Sequence, residues 1–252
     1  MRSEIRFLLL NASAAGLLLT SLAGCPTRPH GPESPSAAQV GAVSPPAGSP
    51  QAPHAGRPFD VASRESLLTI LAFRGGTLAK VGHNHVIASH DMTGAFYLPD
   101  DISQSTFELH VPVAQLTIDE PELRAKEGPD FPTGVPDSAK EGTRRNMLSE
   151  ALLNGAEFPE ITLVSQHIEA TTTGSQVRAD VHVSVRGQTH TVSVPVTYSL
   201  VNDELTASGE LPIKQTDLGL TPFTAMLGAL AVQDELRVRF SFVAHAAITH
   251  RD

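Results

Sequence analysis

The chain of 252 residues has one cysteine, no tryptophan and two tyrosines. A single cysteine forbids an intrachain disulfide, so the folded part must stand on its apolar core alone. Without tryptophan, and with so little tyrosine, the surface is ill suited to stacking on sugars. Basic residues are also scarce. Lys and Arg number 18 against 27 Asp and Glu, a formal net charge of −9, and no basic run occurs. Such a surface repels nucleic acid. Long apolar runs are lacking after the first two dozen residues, so no later segment has the length for a membrane-spanning helix. Catalytic signatures are lacking too. No phosphate-cradling glycine loop, zinc-ligand spacing or pair of catalytic carboxylates is readable, and no nucleophile stands beside an evident base. The expectation is a binding or scaffold protein rather than an enzyme.

What is there begins with Arg2 and Arg6, followed by an apolar run from Phe7 that closes on Leu22-Ala23-Gly24-Cys25. A charged start, an apolar middle and a small-residue end make a secretory signal. The ending resembles the lipobox of bacterial lipoproteins. That resemblance implies cleavage after residue 24 and lipidation of Cys25, whose thiol is the only nucleophile of its kind in the chain. Each buried CH₂ of an acyl chain contributes roughly 0.8 kcal/mol, so two or more chains anchor stably. Pro26 stands where many inner-membrane lipoproteins carry Asp, which by the same resemblance favours the periplasmic face of the outer membrane. Residues 25–58 are rich in Pro, Ala, Ser and Gly and cannot bury enough surface to fold. As a polyproline-like tether they would reach on the order of 100 Å. His30 and His54 fall within it.

From Phe59 to the end the dominant period is two. Apolar residues alternate with polar ones at 107–113, 177–185, 192–200 and 236–244. Each run reads as a strand with one buried face. Gly75-Gly76, Pro99-Asp100-Asp101, Thr173-Gly174-Ser175, Arg186-Gly187-Gln188 and Asn202-Asp203 are turn signals between strands. Helical spacing is confined to Arg144–Asn154, stopped by Gly155. A polar, proline-bearing stretch, 119–141, precedes it as a long loop. The short apolar stretch Pro222–Val232 is expected to be a second helix or a lid. Consecutive antiparallel strands with one apolar face remove their edges by closing. The expected fold is therefore all-β: an antiparallel barrel of about eight strands with one or two short helices, one domain over 59–252. Ala179, Ala207, Gly209, Ala244 and Ala246 on its inner faces leave room for a ligand.

Several pieces, in order, resemble the YceI-like family of lipocalin-like, polyisoprenoid-binding periplasmic proteins. They are Gly94-Ala95-Phe96, Leu153-Asn154-Gly155-Ala156-Glu157-Phe158-Pro159-Glu160-Ile161, the hairpin Val181–His190 and Thr216-Asp217-Leu218-Gly219-Leu220. The resemblance implies a lipocalin-like barrel whose apolar pocket takes a long isoprenoid chain, such as a quinone tail, without catalysis. The helix before the Phe158-Pro159 strand departs from the family, with Arg144 and Asn146 in place of an Asp and a His.

The most unusual local feature is Gly82-His83-Asn84-His85-Val86-Ile87. In a strand His83 and His85 share a face with Val81 and Ile87. Two neutral imidazoles so spaced are candidate ligands for a metal ion or haem iron, with a third ligand supplied from elsewhere. A family histidine near this point makes a structural role the competing reading. The candidate contacts of an apolar ligand are His83, His85, Phe96, Phe107, Phe223 and Phe240. Three readings follow: an anchored isoprenoid or quinone binder, a metal- or haem-linked redox accessory using His83 and His85, and a scaffold without ligand.

Overall fold

The structure, a computed structural model, describes residues 54–247. The expected signal, Cys25, most of the expected tether and His250 lie outside them. The strands begin with β1 (Arg57–Val61), β2 (Leu67–Gly75), β3 (His85–Ser89), β4 (Thr93–Leu98), β5 (Thr106–Pro112) and β6 (Thr117–Ile118). Helices α1 (Pro121–Lys126) and α2 (Asp137–Leu148) follow. The chain then continues through β7 (Glu160–Ala170), β8 (Gln176–Val185), β9 (Gln188–Val201), β10 (Glu204–Lys214), β11 (Thr224–Ala225) and β12 (Leu230–Ala246). No helix among the described residues is long and apolar enough to cross a membrane.

Eight strands close on themselves in the order β1-β4-β5-β7-β8-β9-β10-β12, with β1 pairing back onto β12. Every described pairing is antiparallel. The seam is β12, 17 residues long. One edge pairs with β10 from Glu235 to His245. The other is shared: Ala244–Ala246 pair with β1 and Ala231–Ser241 with β2. Beyond β2 the sheet extends to β3 and β6.

Alternation explains which side chains meet inside. Val177, Ala179, Val181 and Val185 of β8, Leu205, Ala207 and Leu211 of β10, and Phe240, Phe242 and Ala244 of β12 are buried. Their strand neighbours are wetter. Gly209 is opposite Phe240 in the β10–β12 ladder. A Cβ there would lie 2.3 Å from the Pro195 carbonyl oxygen and 2.7 Å from Phe240 Cζ, so only glycine lets that ring lie against the wall.

Four expectations need correction. The helix spans Asp137–Leu148 rather than 144–154. Pro136 sets its start, and the chain turns after Ser149, where the N–H groups of Leu153 and Gly155 return to the carbonyls of Met147 and Leu148. The stretch 119–141 is not a bare loop: it holds α1 and the first turn of α2, and buries Leu123, Phe131 and Val135. Leu123 and Phe131 pack with Leu71, Val86 and Ala88 into a second cluster, so β2 and β3 are covered on both faces. Pro222–Val232 is not a helix. It forms β11, a turn at Met226–Gly228 and the start of β12. Finally, pairing begins at Arg57, and His54 stacks on Tyr97 at 4.1 Å between ring centroids.

Candidate functional site

Inside the barrel is a cavity of about 450 Å³, within the range of pockets that take a whole small ligand. Its wall is built from inward residues of β2, β5 and β7–β10, with Leu236, Val238, Phe240 and Phe242 of β12. Ala139, Thr143, Asn146 and Met147 also line it. They follow helical spacing on one face of α2, so that helix lies over the cavity with a single stripe turned inward. Arg144, on another face, donates to the carbonyls of Ala114 and Leu116 and ties the helix down. One family departure thus has a structural job here, and the other, Asn146, faces the cavity. No residue between Leu116 and Ala139 lines the cavity, so the 119–136 stretch covers the outside of β2–β3 and not the pocket.

All six residues picked as ligand contacts, His83, His85, Phe96, Phe107, Phe223 and Phe240, are on the cavity wall. Phe96 and Phe107 touch at 5.5 Å, and Phe240 and Phe242 stack at 5.0 Å between centroids. Most polar wall residues gather in one place. Arg74 donates to the Gly82 carbonyl beside His83, and His83 neighbours His85. Thr143 of α2 is 3.4 Å from His85 Nε2, with Asn146 three residues further along the same helix face, while Gln215 stands apart, bound to the Gln233 carbonyl. The cavity is thus apolar, with one polar corner at His85.

The two histidines do not share a strand face. β3 starts only at His85, after a helical turn at Ala79–Val81, and Val81 points to solvent. Asn84 causes the break. Its Oδ1 accepts the Arg74 N–H at 2.9 Å, and its Nδ2 donates to the Asp130 carbonyl at 3.1 Å, so a side chain replaces the ladder there. His83 is left exposed at the rim, its ring 6.4 Å from that of His85.

His85 is held from behind. Its Nδ1 lies 2.7 Å from Oδ2 of Asp119, whose side chain has no exposed surface. Oδ1 of Asp119 accepts the Val86 N–H at 2.8 Å and pairs with the equally buried Arg124. Arg124 donates further to the carbonyls of Asn84 and Pro132, each at 2.7 Å, and lies over the Phe131 ring. Burial pushes the Asp119 carboxyl up, but the His85 and Val86 hydrogen bonds and the charges of His85 and Arg124 prevail and hold it below its ordinary range. An ionised Asp119 needs a proton on Nδ1. In neutral His85, Nε2 then carries the lone pair, and it faces α2 and the cavity. The Thr143 hydroxyl is 3.4 Å from that Nε2 but 3.1 Å from the Ala139 carbonyl, to which it donates.

Asp119 and Arg124 were missed because they read as members of a polar loop. Nothing but an Asp directly after the apolar Leu116-Thr117-Ile118 marked the position. An acid behind a histidine also orients metal ligands. Among the described residues, however, the one trio of acidic and imidazole groups that converges is Glu65, Glu204 and His245, all exposed, and neither His83 nor His85 belongs to such a trio.

The family model for the YceI-like domain matches residues 66–244. The chain belongs to the YceI-like family. BcnA of Burkholderia cenocepacia superposes with a TM-score of 0.53 at 17% identity, covering 73% of this chain and 99% of that one. A polyisoprenoid binding domain from Saccharophagus degradans, implicated in plant cell wall breakdown, gives 0.51 at 12% identity, covering 75% and 98%. Both share the YceI-like fold and consist almost wholly of the unit matched here. No curated protein is similar in sequence. At 17% and 12% identity these likenesses show the fold.

Proposed function

We propose that this protein holds a long isoprenoid chain, as in a quinone tail, in its barrel, and does so as a lipid-anchored protein on the periplasmic side of the outer membrane. The observation that carries the ligand reading is the apolar cavity of about 450 Å³ with a polar corner at His85. Such a cavity suits a tail of repeating apolar units, and the corner suits one polar end. The polyisoprenoid binding of the Saccharophagus relative supports the same choice. The anchor rests on the lipobox resemblance at Cys25 and the side of the membrane on Pro26. A binding role rather than catalysis is supported by Thr143, the hydroxyl nearest His85, which is bonded back into its own helix.

Native mass spectrometry of residues 54–252, exported to a periplasm and purified without detergent, tests the reading. An added mass of several hundred daltons that extracts into organic solvent is expected, and its identity names the ligand. A bare polypeptide that also takes up no geranylgeraniol when offered it overturns the reading. The second reading, a metal- or haem-linked accessory, draws on the Asp119-oriented His85. It requires a metal or haem mass that disappears in a His83→Ala/His85→Ala variant.

A further inference from the structure

Among the described residues six large apolar side chains are exposed, and four of them are on two neighbouring turns. Leu78 and Val81 belong to residues 76–82, and Met226 and Leu227 to residues 226–229. The turns are joined: the Leu78 N–H donates to the Ala229 carbonyl at 2.8 Å. Leu227 is 109% exposed, more than in an isolated peptide, Val81 70% and Met226 65%. Burial in this chain does not account for them.

Their backbone is set against ease. Met226 and Leu227 both have left-handed φ, 51° and 56°, in consecutive positions. Bulky side chains rarely adopt that region, and a turn selected only for solubility would place Asn and Gly there. The strain projects two long apolar side chains away from the barrel. Charge is unusual as well. No acid occurs between Glu65 and Asp91 or between Asp217 and Asp234, although the chain has a net charge of −9. Among the described residues of the two turns the one charged side chain is Lys80, and Arg74 donates to the Gly82 carbonyl beside them. The turns also adjoin the cavity: Gly82, Phe223, Leu230 and Ala231, which flank them, line its wall.

We propose that residues 76–82 and 226–229 form a docking tip that inserts into an anionic lipid bilayer and brings the cavity mouth to it. The exchange this permits rests on the reading of the cavity as a site for a membrane lipid. A bilayer fits better than a protein partner. It accepts a small projecting apolar tip with a basic flank and needs no matching pocket. A stable protein interface needs on the order of 800 Å² per partner, far more than four side chains on two turns supply.

The test uses residues 54–252, which lack Cys25 and correspond to the unit of which the solved relatives consist. Sedimentation with vesicles of phosphatidylcholine and phosphatidylglycerol, free of isoprenoid, measures docking. Uptake of geranylgeraniol in solution measures the cavity. The wild-type domain is expected to sediment with the vesicles. A Met226→Asp/Leu227→Asp variant, altered only at exposed positions off the cavity wall, is expected to partition at least roughly tenfold more weakly with uptake unchanged. Wild-type protein that ignores the vesicles yet takes up geranylgeraniol overturns the tip and leaves the ligand reading standing. Docking without uptake does the reverse. Equal partitioning of wild type and variant overturns the tip, as does light scattering in which the variant turns a wild-type dimer into a monomer.

Discussion

Nδ1 of His85 is 2.7 Å from Oδ2 of Asp119, a carboxylate buried completely beneath the cavity wall. Among the described residues the same carboxylate is the one acid paired with Arg124, whose side chain is also fully buried. Removing it strands a guanidinium in the interior. Asp119→Ala is expected to cost about 3–5 kcal/mol, the usual penalty for breaking a buried pair from one side. Urea unfolding of residues 54–252 checks this. A loss below about 1 kcal/mol would show that Arg124 finds water or another partner.

The same pair predicts how stability depends on pH. The folded Asp119 carboxyl titrates below its ordinary value of 3.8. Its contribution is therefore complete above the unfolded value and is lost as pH falls through the lower, folded one. The gap in melting temperature between wild type and Asp119→Asn should be present at neutral pH and close as pH falls below about 4. A gap that persists unchanged into strong acid would mean that charge at Asp119 is not what stabilises the fold.

β5, β8, β9 and the later part of β12 were legible because each has one wet face, which prints a period of two on the sequence. β2 was not. Leu67-Leu68-Thr69-Ile70-Leu71-Ala72-Phe73 is nearly continuous apolar sequence, since Leu68 and Ile70 face the cavity while Leu71 faces the cluster under α1. A strand buried on both faces carries no alternation. Phe107 and Phe240, on the cavity wall, followed from strand parity. The buried Asp119–Arg124 pair did not, because a five-residue separation across a strand end and a short helix leaves no pattern and depends on how the 119–136 stretch folds back over β3. Pro222–Val232 misled for a similar reason: its apolar residues are divided between the cavity wall, at Phe223 and 230–232, and an exposed turn at Met226 and Leu227.

Gly209 tests whether the wall is as tight as the contacts imply. A methyl there meets the Pro195 carbonyl oxygen and the Phe240 ring at under 3 Å. The carbonyl belongs to a paired β9 strand and cannot retreat, so the Phe240 ring must move and the ladder must bend. Gly209→Val is expected to destabilise by about 1–3 kcal/mol, the range for overpacked cores, and to lower ligand capacity by pushing Phe240 into the cavity. Unfolding and geranylgeraniol uptake measure the two effects. Unchanged values of both would place that ring elsewhere in solution.

His85 also sets a preference among ligands. With Nδ1–H committed to Asp119, His85 in its neutral form offers the cavity an acceptor at Nε2 and no donor. The ligand end that satisfies it bears a hydroxyl. An all-trans prenyl alcohol should therefore bind more tightly than its methyl ether, which has the same tail and no proton to give. One net hydrogen bond contributes about 0.5–1.5 kcal/mol, so the preference should be roughly two- to tenfold. In His85→Leu the polar corner loses its acceptor while the cavity keeps its shape, and the two compounds should bind alike. Equal binding to the wild-type domain would show that the ligand's polar end stops short of His85, and would place tail recognition alone in charge of affinity.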